Sequence, residues 1–467
     1  SAMSLQPLDL SEPADESRFN SIDPLDSRYY DPEIAKYLSE RARILTQSHI
    51  EAALANGLAE FGICSQEVAQ AIDAASRAIR VEDVAEEEKT TRHDVKAIVN
   101  TIKKQLPETA QPYVHFGATS YDIVASAMSL QLRRATRELL LPRLQTLQAT
   151  LLELADRYAD TVQIGRTHGQ HAVPITFGYM LATYVQRLGE SMQALDELAG
   201  SLKGKFSGAV GTYNAISVFV DDPLAFEKTV LGYVGLEPAP AATQIVPSEG
   251  YIRLLDELAI TAGVMANLSH DMRNLQRTEI GEVRERFEPG QTGSSTMAHK
   301  RNPWNFENII GMWKQVTAQT VNANLNISSE HQRDLTDSSA GRFYTIPLAS
   351  VAAMAQRLHT VMSKIEVDTE AMERNLHMTR GAIAAEPLYL LLEKYGHTTA
   401  HEVSKALAHQ AMEQNTSLFQ VASQAETIAE YWGKFTPNEK QLIEAPETHY
   451  SGLAATRART IIASWQM

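Results

Sequence analysis

Apolar residues along this chain recur at three- and four-residue spacing over long stretches, whereas the strict alternation of a half-buried strand, bounded by paired turns, hardly occurs. The pattern predicts an all-α protein. Residues 121–159 contain no glycine and a single proline, Pro142, and carry Ile123, Ala127 and Leu130, then Leu140, Leu144, Leu147, Leu151 and Leu154, at helical spacing. Polar residues interrupt that stripe between Gln131 and Glu138. A helix of this length would span about 60 Å at 1.5 Å per residue. Comparable stretches cover residues 177–202, 248–287, 303–328 and 347–364. Helices this long cannot all bury their faces in a small globule, so a side-by-side bundle is expected, with leftover apolar stripes packed on other subunits. Shorter helical patterns occupy 34–60 and 65–80, and after Asp368 come short helices punctuated by Gly381, Pro387 and Gly396. These changes of pattern place three helical domains at 1–118, 119–368 and 369–467, the middle one holding the long helices.

With 467 residues, 44% of them apolar, there is material for more than one packed unit. The formal charge of −15 disfavours a nucleic-acid partner, so any phosphate or carboxylate ligand must meet a locally positive site. Cys64 is the single cysteine, which excludes an internal disulfide framework and fits a reducing compartment. Neither a cationic-then-apolar leader pattern nor an apolar run long enough to span a bilayer occurs, so the expected location is cytoplasmic and no membrane partner is expected.

Four junctions between the expected helices concentrate polar and imidazole groups: residues 90–94, 115–120, 165–176 and the loop from Gly293. Function gathers in such places. In Gly165-Arg166-Thr167-His168-Gly169-Gln170-His171, two histidines spaced by three could ligate a metal. No nearby carboxylate or cysteine completes a site, so general acid–base work is the better reading and no metal is expected. His93 could merely start a helix beside the capping acid Asp94, and His115 could be a packed imidazole. His49, His270, His359, His377 and His409 sit in helical patterns and are read as surface or core residues. The run Glu86-Glu87-Glu88 is read as a solvated face.

The loop Gly293-Ser294-Ser295-Thr296-Met297-Ala298-His299-Lys300-Arg301-Asn302-Pro303 combines glycine freedom, hydroxyls beside backbone N–H groups, a mobile cation and a helix-starting proline, which together suit an anion. It resembles the signature loop of the fumarase/aspartase superfamily, with Ala298 where that pattern has proline. The order of the junctions, together with Arg28-Tyr29, Arg92-His93-Asp94, Thr243-Gln244 and the stretch from Arg333 through Ser338 to Arg342, resembles the adenylosuccinate lyase family within it. Where many relatives carry an arginine after the Thr243-Gln244 equivalent, Pro247-Ser248-Glu249-Gly250 follows here.

That resemblance implies a cofactor-free β-elimination of fumarate from adenylosuccinate, giving AMP, and from succinyl-aminoimidazole-carboxamide ribotide. It implies Ser294 as the proton-abstracting base, His168 as the acid on the departing nitrogen and Glu279 as the carboxylate orienting His168. Thr119, Ser120, Gln244, Lys300 and Asn302 would bind the doubly negative aci-carboxylate, and Ser295, Arg92 and Asp94 would be further substrate-binding residues. Arg28, Tyr29, Arg333, Ser338 and Arg342 would hold the nucleotide end, with His93 and His115 near the base and phosphate, where an arginine fork suits phosphate. It further implies a homotetramer with a twenty-helix core and sites shared between subunits. Alternatives are another superfamily enzyme, such as argininosuccinate lyase or carboxymuconate cycloisomerase, and a non-catalytic helical scaffold.

Overall fold

The computed structural model describes residues 4–11, 18–286, 297 and 299–466. Helices dominate these residues, and the strands form three two-stranded ribbons: β1 (Val162–Thr167) with β2 (Gln170–Thr176), β3 (Lys203–Gly204) with β4 (Glu237–Pro238), and β5 (Val283–Arg284) with β6 (Glu366–Val367). The all-α expectation therefore holds, and the one ribbon of any length occupies the junction at 165–176. No described helix is long and apolar enough to cross a membrane.

The chain divides into two compact units. One comprises Ser1–Pro142, Leu195–Ala259 and Gln315–Ala353, the other Arg143–Ala194, Ile260–Lys314 and Met354–Met467. In the first unit, Ile50, Leu54 and Leu58 of helix Glu40–Glu60 pack with Ile72, Ile98, Ile123, Phe206 and Phe226 in one buried cluster. The expected helix over 34–60 is instead two, Pro32–Leu38 and Glu40–Glu60. Ser39 divides them because its backbone is extended and its hydroxyl accepts from Ala42 N at 3.2 Å, a capping geometry that an uninterrupted helix cannot make. Helix Ser120–Arg134 runs through a π-helical stretch, Ala135–Leu140, into Leu141–Arg157. The polar interruption in the stripe falls where the wider turn re-phases the apolar face.

In the second unit, helices Ala385–Lys394, Ala400–Glu413, Leu418–Gln424 and Pro437–Glu444 enclose a core of Leu388, Leu392, Leu407, Leu418 and Ile443. Pro387 lies in the first turn of its helix, and Gly381 and Gly396 take positive φ of 88° and 96° between helices. The stretch expected to be helical over 248–287 stops at Leu275. Gly281, at φ 61°, turns the chain back so that Glu282 N donates to Leu275 O at 2.9 Å.

Candidate functional site

The first unit encloses a cavity of about 650 Å³, walled on its apolar side by Leu38, Val124, Met128, Tyr251 and Ile346. Five expected site residues line it: His93, Asp94, Ser120, Ser338 and Arg342. Local folding explains their placement. His93 is the N-cap of helix Asp94–Lys103, and its Nδ1 accepts from Lys96 N at 3.1 Å. A neutral imidazole accepting through Nδ1 carries its proton on Nε2, which stands 3.4 Å from Ser120 Oγ. His93 does start the helix, but the cap is His93 itself and not Asp94, and the same geometry turns the other ring nitrogen toward the cavity wall.

Asp94 sits between two guanidinium groups, 3.5 Å from Arg43 and 3.4 Å from Arg342. Arg43 is also held by Glu40 through contacts of 2.9 and 2.5 Å, and both line the cavity. Sequence reasoning missed Arg43, because within a helical pattern an arginine gives no sign of which way it faces.

Arg333 lies beside this wall without lining it. Its guanidinium stacks over the Tyr121 ring at 4.0 Å and donates to Asp337 at 2.5 Å, and Tyr121 and Asp337 do line the cavity. The side chain is 10% exposed, and its buried Nε and Nη2 find no hydrogen-bond partner among the described residues. Gln244 reaches the neighbouring segment through its backbone, N to Gln332 O at 3.3 Å.

The remaining expected residues of this unit stand off the wall. Arg28 is exposed, although Leu25, Asp26 and Tyr30 around it line the cavity, and Tyr29 N is spent on Pro24 O at 2.8 Å. Arg92 is exposed and closes its helix at φ 51°. Thr119 N donates to Asp122 Oδ2 at 2.9 Å, so this residue serves first as a helix start. His115, at φ 61°, places Nδ1 2.7 Å from Oε1 of the fully buried Glu51. Burial opposes a charged imidazole there, but the Glu51 carboxylate outweighs it and raises the His115 pKa.

Beneath Ser120, Asp122 is wholly buried and pairs with the equally buried Lys205 Nζ at 2.5 Å. Its Oδ1 also accepts from Ser207 N and Gly208 N, at 3.2 and 3.3 Å. One carboxylate thus anchors both the 115–120 junction and the glycine-rich segment around Gly208.

The second unit carries the other candidates. His168 and Gly169 form the tip of the β1–β2 hairpin, with Thr167 paired to Gln170. Both tip residues have positive φ, 56° and 74°, as a tight turn joining right-twisted strands demands. Glycine meets this freely, whereas histidine is uncommon there, an outlier of the kind that clusters at functional sites. His171 pairs across the hairpin with Arg166; burial, then the Arg166 charge, lowers its pKa, and its Nδ1 is buried without a partner among the described residues.

Glu279, expected to orient His168, is exposed in the turn after Leu275, and no hydrogen bond or ion pair joins the two among the described residues. Lys300 is exposed and Asn302 half-buried, while Ser294, Ser295 and Ala298 lie outside the described residues. The flanks of that loop are tied together. Glu285 accepts from Asn305 N at 3.0 Å and Phe306 N at 3.3 Å at the start of helix Trp304–Leu325, and Gln276 bonds both Glu285 N and Arg301 O.

Comparison with known proteins fits these features. The family described as "Lyase" matches residues 28–318, and "Adenylosuccinate lyase C-terminal" matches residues 329–435. The adenylosuccinate lyase of Methanocaldococcus jannaschii is 35% identical over 444 residues, covering 93% of this chain and 94% of its own. That of Bacillus subtilis is 33% identical over 389 residues, covering 83% and 88%. Among solved structures, the 3-carboxy-cis,cis-muconate lactonizing enzyme of Pseudomonas putida superposes with a TM-score of 0.81 at 27% identity, covering 95% of this chain and 99% of its own. A fumarate lyase of Mesorhizobium, 24% identical with a TM-score of 0.80 over 93% and 98% of the two chains, shares the fold. The helical fold and the family match together define an enzyme of the lyase class. Within that class, the chain belongs to the adenylosuccinate lyase family.

Proposed function

We propose that this enzyme eliminates fumarate, without a cofactor, from adenylosuccinate and from succinyl-aminoimidazole-carboxamide ribotide. The carrying observation is end-to-end similarity to adenylosuccinate lyases, and it is supported by a cavity wall on which Arg342, Ser338, His93 and Ser120 converge. A proton must leave the carbon beside a carboxylate, and the resulting double charge needs fixed donors. In this scheme Ser294 removes the proton, His168 protonates the departing nitrogen, and Lys300, Asn302, Ser295, Thr119, Ser120 and Gln244 bind the succinyl carboxylates. Arg28, Tyr29, Arg92, His93, Asp94, His115, Arg333, Ser338 and Arg342 serve the nucleotide end. Glu279 enters as the carboxylate that orients His168. A Glu279→Gln enzyme with an unmoved pH–rate profile would remove it from the scheme.

A homotetramer with shared sites is part of the proposal. Val321, Leu325 and Ile327, exposed at 61%, 72% and 55%, support it as apolar surface available to other subunits. A cytoplasmic enzyme fits the single, unpaired Cys64. The direct test follows fumarate release from both purine substrates, with fumarate release from argininosuccinate and ring opening of a carboxymuconate lactone as controls. Turnover of the purine compounds alone supports the proposal, and turnover of a control alone replaces it. Mixing Ser294→Ala with His168→Gln subunits tests sharing: recovered activity after shown subunit exchange supports it, and none places both residues on one chain.

A further inference from the structure

Gln163 and Arg166 both donate to the carboxylate of Glu282, Nε2 to Oε1 at 2.8 Å and Nη2 to Oε2 at 2.6 Å. In a regular strand, residues three apart point to opposite faces. Here the register slips between Ile164 and Arg166, where Gly165 alone of β1 stands against Ala172 and Val173 of β2; the extra residue is in β2, and at this irregularity Gln163 and Arg166 of β1 both reach one carboxylate. Gly165 makes the bulge possible, since a Cβ there would stand 2.5 Å from Val173 O. Glu282 is fully buried, and its Oε2 also accepts from Asn375 Nδ2 at 2.7 Å, while that same nitrogen donates to Ile280 O at 3.0 Å. Glu282 O accepts from Asp368 N at 2.9 Å, just ahead of helix Thr369–Leu376. One carboxylate thus fastens the hairpin, the segment after helix Glu249–Leu275 and helix Thr369–Leu376 together. The hairpin tip it steadies, two residues beyond Arg166, is His168 in its unfavourable left-handed conformation.

We infer that Glu282 is a positioning residue for the reaction: through Arg166 and Gln163 it fixes strand β1, which runs directly into His168. The inference rests on the proposed role of His168 as general acid. A buried carboxylate that merely bolted the unit together would, when altered, damage the enzyme whatever residue stood at 168. A positioning residue acts only while the acid is there to be positioned. A misplacement of about 1 Å costs on the order of a hundredfold in rate.

The experiment measures kcat and KM for Glu282→Gln, Arg166→Lys and Gln163→Leu, each alone and combined with His168→Gln, with circular dichroism and melting to establish folding. The expected result is a loss of about 10- to 100-fold in kcat for Glu282→Gln with KM within about threefold, a smaller loss for Arg166→Lys, which keeps the charge but not the fork, and a further loss under about threefold in the His168→Gln background. Full activity in Glu282→Gln, or an equal fractional loss in both backgrounds, overturns the positioning role. Should Glu282→Gln not fold, Gln163→Leu and Arg166→Lys, which leave the carboxylate in place, decide by the same comparison. A His168→Gln enzyme with near-normal turnover is a different failure, since it removes the acid assignment itself.

Discussion

The guanidinium of Arg333 lies 4.0 Å above the ring of Tyr121, with Nη1 on Asp337 and two nitrogens left unpaired among the described residues. Stacking a buried cation on an aromatic face contributes about 0.5–2 kcal/mol, the upper end when water is excluded. Tyr121→Leu is therefore expected to weaken nucleotide binding by about 2- to 30-fold, seen as a raised KM or product inhibition constant at little-changed kcat. Tyr121→Phe keeps the ring and should stay within about threefold of wild type. Equal effects of the two replacements would show that the hydroxyl or the cavity shape matters, not the stack.

Lys205 and Asp122 are both without solvent exposure, and Lys205 Nζ has one further contact, Gly208 O at 3.0 Å. Removing one partner leaves a buried charge uncompensated, at a cost of about 3–5 kcal/mol. Lys205→Met should lower the melting temperature markedly. It should also raise KM, because Asp122 holds the backbone of Thr119 and Gly208 beside the 115–120 junction. A Lys205→Met enzyme that melts within a degree or so of wild type would show the pair to be dispensable.

At Gly165 the constraint is steric and local. An added methyl must displace the Val173 carbonyl, so Gly165→Ala is expected to cost about 1–3 kcal/mol of stability and to shift the strand on which Arg166 meets Glu282. Its kcat should fall along with that of Arg166→Lys. Measured melting and turnover equal to wild type would mean that the strand can re-pair without the bulge.

The sequence showed the long helices because their apolar period runs through many turns, and it showed the junctions at 90–94 and 115–120 because polar residues concentrate between helices. The hairpin bearing His168 was legible only as a non-helical junction: Gly165, Pro174 and the bulge break the two-residue period that would have marked strands. Arg43 and Glu51 sit inside helix Glu40–Glu60, and helical spacing does not say which side chain meets a partner from a distant segment. Glu282 meets Arg166 across 116 residues. The resemblance singled out Glu279 nearby but gave Glu282 no role. Ser39 shows the opposite case, since a serine ahead of Glu40 is a readable cap that the continuous apolar pattern around it obscured.

His115 offers a pH test with a definite sign. Burial lowers its pKa, while the charge and hydrogen bond of Glu51, aided by Asp122 and opposed by Lys103, raise it more, so the folded value stands above the ordinary 6.5. The unfolded chain has the ordinary value. The pair's contribution to stability is therefore fully present below about pH 6.5 and is lost as pH rises through the folded pKa. Glu51→Gln removes the acceptor charge and leaves burial as the main influence on the ring. The melting temperature of wild type should exceed that of Glu51→Gln most at about pH 6, above the range where carboxylates titrate, and the gap should narrow toward pH 9. Proton resonances of the His115 ring should titrate above the ordinary value in wild type and below it in Glu51→Gln. A gap that widens with pH, or one titration midpoint shared by both proteins, would show that Glu51 does not hold this imidazole charged.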